Sequence, residues 1–225
     1  MGNCCTRDEL GDEIPRDDGP LDTSVLRHIN VPIIFVIGGP GVGKTFIAKR
    51  LASEHGFTII TITELIRLEV NDDTHRGRLF KKIMLEGRHI PADVIVRMIF
   101  RRMLLFSGTP GYIISGFPRD KKQARLFNKK VKPPDLLIYL WARRQLLEHR
   151  MRLRAIANER FDDIDEAIQN RLEIFYDSTI RALSLYKTAI TVIDAQQSND
   201  EVLELCSNAI ERVMEHRRMV DEQND

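Results

Sequence analysis

Hydrophobic and polar positions follow two regimes along this chain. Short, mostly apolar runs occupy 33–37, 57–60, 112–114, 135–140 and 189–193. Between them lie stretches in which apolar residues return every three or four positions, at 46–55, 64–70, 74–85, 92–106, 143–154, 164–186 and 200–219. The short runs predict strands covered on both faces, and the longer stretches predict amphipathic helices. Their alternation predicts an α/β chain of three layers, a parallel five-stranded sheet with helices on both faces. In such a sheet, ligands collect beyond the carboxyl ends of the strands. The glycines after 37, the segment 115–119 and the pair 141–142 all fall at such ends. The chain contains no internal repeat and no low-complexity segment.

The first apolar run feeds directly into Gly38-Gly39-Pro40-Gly41-Val42-Gly43-Lys44-Thr45, with a helical pattern following. This is the spacing of a phosphate-binding P-loop, G-x4-G-K-T. Glycines permit positive-φ turns and close approach of backbone N–H groups to anionic oxygens. Lys44 supplies a point charge near the β and γ phosphates, and the Thr45 hydroxyl is placed to bind Mg2+. The residues expected around a triphosphate are thus Gly39, Pro40, Gly41, Val42, Gly43, Lys44 and Thr45.

With 225 residues, the chain can bury one substantial core. Its formal net charge of +1 is unevenly spread. Residues 1–30 carry seven acids and three arginines, net −4, which leaves the remainder at about +5. The body therefore suits anionic substrates, while scattered arginines fit phosphates of small nucleotides as well as those of DNA, and no nucleic-acid partner is expected. Three cysteines, Cys4, Cys5 and Cys206, argue against a disulfide framework and for a reducing compartment. The histidines, His89 among them, lack metal-ligand spacing and read as surface residues. No apolar run reaches the roughly 20 residues of a membrane span, and a cytoplasmic location is expected.

Met1-Gly2-Asn3-Cys4-Cys5-Thr6 matches M-G-x-x-x-[ST], the pattern that exposes Gly2 to myristoylation. One such chain anchors only marginally, and Cys4 and Cys5 are positioned to take palmitoyl groups that would fix the protein at the cytosolic face of the plasma membrane. The acidic balance of the leader opposes an anionic leaflet, which makes the second acyl chain more necessary. The expected layout is a tail over 1–30, a catalytic domain over 31–219 and a short tail over 220–225.

Taken together, the segments from about residue 31 to 214 resemble the adenylate kinases, in the short form with a compact lid. Gly38 to Lys44 matches the family's G-G-P-G-x-G-K loop. Thr61-Ile62-Thr63-Glu64-Leu65-Ile66-Arg67 stands where the family has S-T-G-D-L-L-R, and Gly87-Arg88-His89-Ile90-Pro91 matches G-x-x-V-P. Ser115-Gly116-Phe117-Pro118-Arg119 matches D-G-[FY]-P-R, with Gln123 four residues on. Arg150, Arg154, Arg160, Asp162-Asp163 and Arg171 fall at lid spacing.

The resemblance implies a monomeric nucleoside monophosphate kinase that uses ATP, AMP and Mg2+. It implies that Arg67 and Arg119 grip the acceptor phosphate, with Ile62, Ile90, Gly116 and Gln123 around the acceptor. Lys44, Arg119, Arg160 and Arg171 would serve transfer, and Arg150 and Arg154 would clamp the donor. Segments 61–90 and 155–163 would move as acceptor-binding helices and lid. Asp162 and Asp163 are read either as an ordinary acidic helix start or as orienting groups for the lid arginines. Arg143, Arg144 and Arg152 read as surface residues.

Three departures change the expectation. Ser115 replaces the aspartate that holds magnesium through water, Thr45 replaces a glycine and adds a hydroxyl that can reach the metal, and Ile62 removes a hydroxyl near the acceptor base. Trp141 stands where relatives often carry an acid. Alternatives to AMP kinase chemistry are therefore a UMP/CMP kinase and a membrane-attached nucleotide sensor with little turnover.

Overall fold

The computed structural model describes residues 21–157 and 161–224. Its centre is β1 (Ile33–Gly38), every residue of which is buried. Such a strand must be covered on both faces. Ile33, Phe35 and Ile37 belong to one core and Ile34 and Val36 to the other. The further strands are β2 (Thr58–Thr61), β3 (Tyr112–Ser115), β4 (Leu136–Trp141) and β5 (Ile190–Asp194). They form one sheet in the order β2-β3-β1-β4-β5, and all pairings are parallel. The chain leaves β1 toward β2 and leaves β3 toward β4, so the direction of winding reverses between the adjacent strands β1 and β3. A crevice for ligands opens at that point.

The helices are α1 (Lys44–His55), α2 (Ile62–Asn71), α3 (His75–Leu85), α4 (Ala92–Leu105), α5 (Lys121–Lys130), α6 (Arg144–Ile156), α7 (Asp165–Ile174), α8 (Ile180–Leu183) and α9 (Asn199–Asn224). Residues of α1, α6 and α9 fill one core, and residues of α2 to α5 fill the other. Phe35, on β1, meets Phe117 and Phe127 at 5.3 Å between ring centroids. This aromatic cluster ties the segment after β3 to the sheet and to α5.

Several boundaries differ from the expected ones. β2 to β5 each run one residue past their apolar stretches, because ladder pairing uses the backbone and tolerates polar residues such as Ser115, partnered by Val36 and Thr61. Helix α2 begins at Ile62, directly after the strand, and α9 continues to Asn224 where 219 was expected. The single helix expected over 164–186 is interrupted. A π-helical turn, Phe175–Thr179, separates α7 from α8, and a 3-10 turn, Ser184–Tyr186, follows. The widened turn brings buried Phe175 and Thr179 to the same cavity. Thr179 there donates to the Arg119 carbonyl at 2.8 Å.

Phe127 is fully buried, meeting Phe35 edge-on and Phe100 and Phe117 at tilted angles. Phe127→Ala should lower unfolding free energy by about 3–5 kcal/mol. Urea titration followed by circular dichroism measures it.

Candidate active site

At the carboxyl ends of the strands lies a cavity of about 260 Å3. Its rim is built first by the glycine-rich loop. The Gly43 φ of 98° starts α1 from a left-handed conformation, where a β-carbon would be strained. A β-carbon on Gly41, whose φ is 82°, would fall 2.9 Å from the Leu147 carbonyl oxygen, so the loop also needs glycine for close packing on α6. The first N–H groups of a helix lack intrahelical partners, and α1 therefore offers its amino end to an anion. Lys44 Nζ donates to the Gly38 and Gly39 carbonyls, each at 2.8 Å. Those carbonyls hold the ammonium over the loop.

Of the loop residues, Pro40, Gly41, Gly43, Lys44 and Thr45 line the cavity. Gly39 is buried behind the loop, and the Val42 side chain belongs to the core, so these two can serve a ligand only through their backbone. Ser115 and Gly116 line the floor at the end of β3, and Gly116 has φ 79°. Arg119 also lines it, its backbone fixed on both sides. The Arg119 N–H donates to Gln123 Oε1 at 2.9 Å, and its carbonyl accepts from Thr179.

The lid side contributes Arg154 and Arg171, both of which line the cavity. Asp163 binds both. It accepts from Arg154 Nε at 2.5 Å and Nη2 at 3.0 Å, and from Arg171 Nη2 at 2.6 Å. Arg171 also donates to Asp162 Oδ2 and to the Asp162 and Ala167 carbonyls. Burial acts to raise the Asp163 carboxyl, but the hydrogen bonds and charges of Arg154 and Arg171 outweigh it and hold the pKa below the usual range. The acidic pair thus orients the lid arginines. Arg150 is half-buried beside Gly41 and donates to the Ala195 carbonyl at 3.4 Å, outside the lining. Arg160 lies outside the described residues, as do Gly2, Cys4 and Cys5.

The residues expected around an acceptor depart most from expectation. Ile90 lines the cavity, whereas Ile62 is 1% exposed and packed in the core beneath α2. The helix starts at Ile62 itself, which turns that side chain inward. Arg67 is half-buried on α2, next to the cavity-lining Ile66. Gln123 is buried behind Arg119, outside the lining; with Oε1 taken by a backbone donor, Nε2 has no hydrogen-bond partner among the described residues.

His89, expected at the surface, is instead a lining residue. Burial first, and the Arg119 charge second, lower its pKa from 6.5 to about 3, so the ring is neutral at physiological pH. Thr61, Thr63 and Thr179 also line the cavity and were not singled out from sequence. The threonines lie in segments whose motif was visible, but hydroxyl direction depends on where strand becomes helix. Arg143, Arg144 and Arg152 are exposed, as expected.

Fit to a magnesium ion can be judged from the donors. Thr45 and Ser115 line the same cavity, and Ser115 Oγ is buried with no hydrogen-bond partner among the described residues. Among those residues no group of three His, Cys, Asp or Glu could hold a metal. Hydroxyls without a carboxylate cage fit an ion carried largely by the phosphates of its ligand.

The sequence is similar to those of known proteins. The family model for adenylate kinase matches residues 36–191. Adenylate kinase isoenzyme 1 of Gallus gallus is 35% identical over 191 residues, covering 83% of this chain and 97% of the relative. The isoenzyme 1 of Cyprinus carpio is 33% identical, covering 80% and 95%. Adenylate kinase isoenzyme 5 of Bos taurus is 33% identical over 78% of this chain, which matches 32% of that longer protein. With the parallel sheet, the phosphate loop and the facing arginines, these similarities make the chain a member of the adenylate kinase family and a phosphotransferase of the nucleoside monophosphate kinase kind.

Proposed function

We propose that this chain transfers the γ-phosphoryl group of ATP to AMP, giving two molecules of ADP. The observation that carries the reading is that Lys44, Arg119, Arg154 and Arg171, from four separate parts of the chain, line one cavity at the winding reversal of the sheet. Transfer between two nucleotides requires that like-charged phosphates be held together and aligned. The loop from Gly39 to Thr45 would bind the donor phosphates, with Lys44 exchanging the Gly38 and Gly39 carbonyls for phosphate oxygens. Arg67 and Arg119 would grip the acceptor phosphate, with Ile90 and Gly116 beside it and Gln123 reaching the base through Nε2.

Arg160 and Arg171 would bridge toward the group in transit. Arg154, oriented in advance by Asp163, would clamp the donor from the lid with Arg150. No general base is needed, because positioning and charge neutralisation supply most of the acceleration. Closure of 61–90 and 155–163 would exclude water that otherwise hydrolyses ATP. His89, held neutral, leaves the Arg119 charge to the phosphate. Thr45 and Ser115 would contact Mg2+ or its waters, and the ion would screen charge on the polyphosphate. The tail over 1–30 would be acylated at Gly2, Cys4 and Cys5, placing a monomeric kinase domain at the cytosolic membrane face.

A second reading has specific support. A hydroxyl at Ser115, in place of a carboxylate, would leave a metal with less negative charge around it, and with the lipid motif at Met1–Thr6 this favours a membrane-attached nucleotide-binding sensor with little turnover. An acceptor panel of AMP, CMP and UMP separates the possibilities. ADP formation from AMP and ATP is expected, reduced about 100-fold or more by Lys44→Ala. Tight binding without turnover would give the sensor, and preference for UMP or CMP would give a pyrimidine kinase.

Ser115→Asp should raise turnover and lower the magnesium concentration needed for half-maximal rate by about tenfold. An unchanged magnesium curve would remove Ser115 from metal placement. His89 provides a pH test. Its folded pKa lies below the ordinary value of 6.5, so the unfolded chain binds the proton first and stability is lost as pH falls through 6.5 toward about 3. Urea midpoints between pH 7 and 4 should fall more steeply for the parent than for His89→Gln.

A further inference from the structure

Outside the residues assigned to transfer, one side chain joins two walls of the cleft. Asn170, half-buried on α7, donates through Nδ2 to the Glu86 carbonyl at 2.9 Å, across 84 positions of sequence. Glu86 closes α3. The last carbonyls of a helix lack intrahelical partners, so this one is open to a donor from elsewhere. Directly after it come Gly87, Arg88, His89 and Ile90, all of which line the cavity. The turn rests closely on α7, since a β-carbon on Gly87 would fall 2.7 Å from the Ala167 carbonyl oxygen and 3.0 Å from the Asn170 β-carbon. That same Ala167 carbonyl accepts from Arg171 Nε at 3.1 Å. One turn of α7 thus carries both the 86–90 wall and Arg171, which lines the cavity beside it. A further contact joins the same two sides, with Lys81 of α3 over the Phe161 ring at 5.9 Å.

We propose that Asn170 is a positioning residue for the acceptor nucleotide. Its amide sets the distance between the 86–90 turn and Arg171, so the wall beside the acceptor stands at a fixed place relative to the group that would meet the phosphate in transit. The inference rests on the reading above that segment 61–90 binds the acceptor. A bond already made to the turn removes ordering that the acceptor would otherwise have to impose, and that cost would come out of its affinity. The donor would be held chiefly by the 39–45 loop and α6, so its binding should be indifferent to Asn170. An amide is required in this role, because the partner is a carbonyl and only a donor can answer it.

Two substitutions in the full chain test it. Asn170→Asp keeps the shape of the side chain and removes the donor, whereas Asn170→Gln keeps the donor on a longer arm. Calorimetric titration with AMP, CMP and UMP should show the Kd of the acceptor that the parent binds rising about tenfold in Asn170→Asp and about threefold or less in Asn170→Gln. The Kd for the β,γ-imido analogue of ATP should stay within about twofold of the parent, so that acceptor KM rises while donor KM holds. Amide hydrogen exchange over 84–91 should quicken about tenfold in the Asp variant while β1 keeps the parent rate, which separates loss of the bond from general unfolding. Equal acceptor affinity in Asn170→Asp and the parent would overturn the proposal. So would equal losses for acceptor and donor, which would make Asn170 a structural residue of α7. A parent that binds none of the three monophosphates would instead overturn the acceptor reading, and this inference with it.

Discussion

Parallel pairing of β1 with β3 on one side and β4 on the other is the constraint from which the rest follows. It sets Val36 beside Ser115 and Gly38 beside Leu140, so the phosphate loop and the Arg119 segment begin at the same edge of the sheet. Reversal of winding between β1 and β3 opens the cleft there, and the helices on either face leave it accessible. The Phe35, Phe117 and Phe127 cluster then holds the Arg119 segment at the height of the loop.

Electrostatics within the cleft depends on a trade between buried acids and the arginines that line it. Asp163 is fully buried on its side chain, and Asp162 nearly so. A buried carboxylate is tolerable only when paired and hydrogen-bonded, and here Arg154 and Arg171 provide that pairing. The same contacts fix both guanidinium groups in place, which would reduce the ordering needed to bind an anion there. Arg119 is fixed differently, through its backbone, by Gln123 and Thr179. His89 beside it stays neutral because burial and a neighbouring cation both disfavour the proton.

The hydroxyl at Ser115 changes the character of the floor. A carboxylate there would draw a cation, whereas Ser115 Oγ and, one strand across, Thr61 Oγ1 are buried hydroxyls without hydrogen-bond partners among the described residues. Buried polar groups of this kind call for a ligand or a water. They line the cleft as matched neighbours at the ends of β3 and β2, and can answer phosphate, ribose or hydrated metal without adding charge.

Local patterns were enough for the five parallel strands and the phosphate loop, and of the arginines singled out with them Arg119, Arg154 and Arg171 line the cavity beside that loop, whereas Arg67 and Arg150 do not. Short, mostly apolar runs admit few environments, and G-x4-G-K-T answers a local backbone requirement. The sequence by itself was also sufficient to pair Asp162-Asp163 with the lid arginines as one of two readings. Tertiary structure decided what depends on the angle at which an element enters the core. Ile62 turned into the core because α2 starts on it, Gln123 lies behind Arg119 because its carbonyl is taken, and His89 left the surface for the cleft. The π-helical turn at Phe175 likewise has no periodicity that a pattern of apolar residues reveals. Local rules act over three or four residues, whereas the direction of a single side chain at a strand end is set by helices distant in sequence that pack around it.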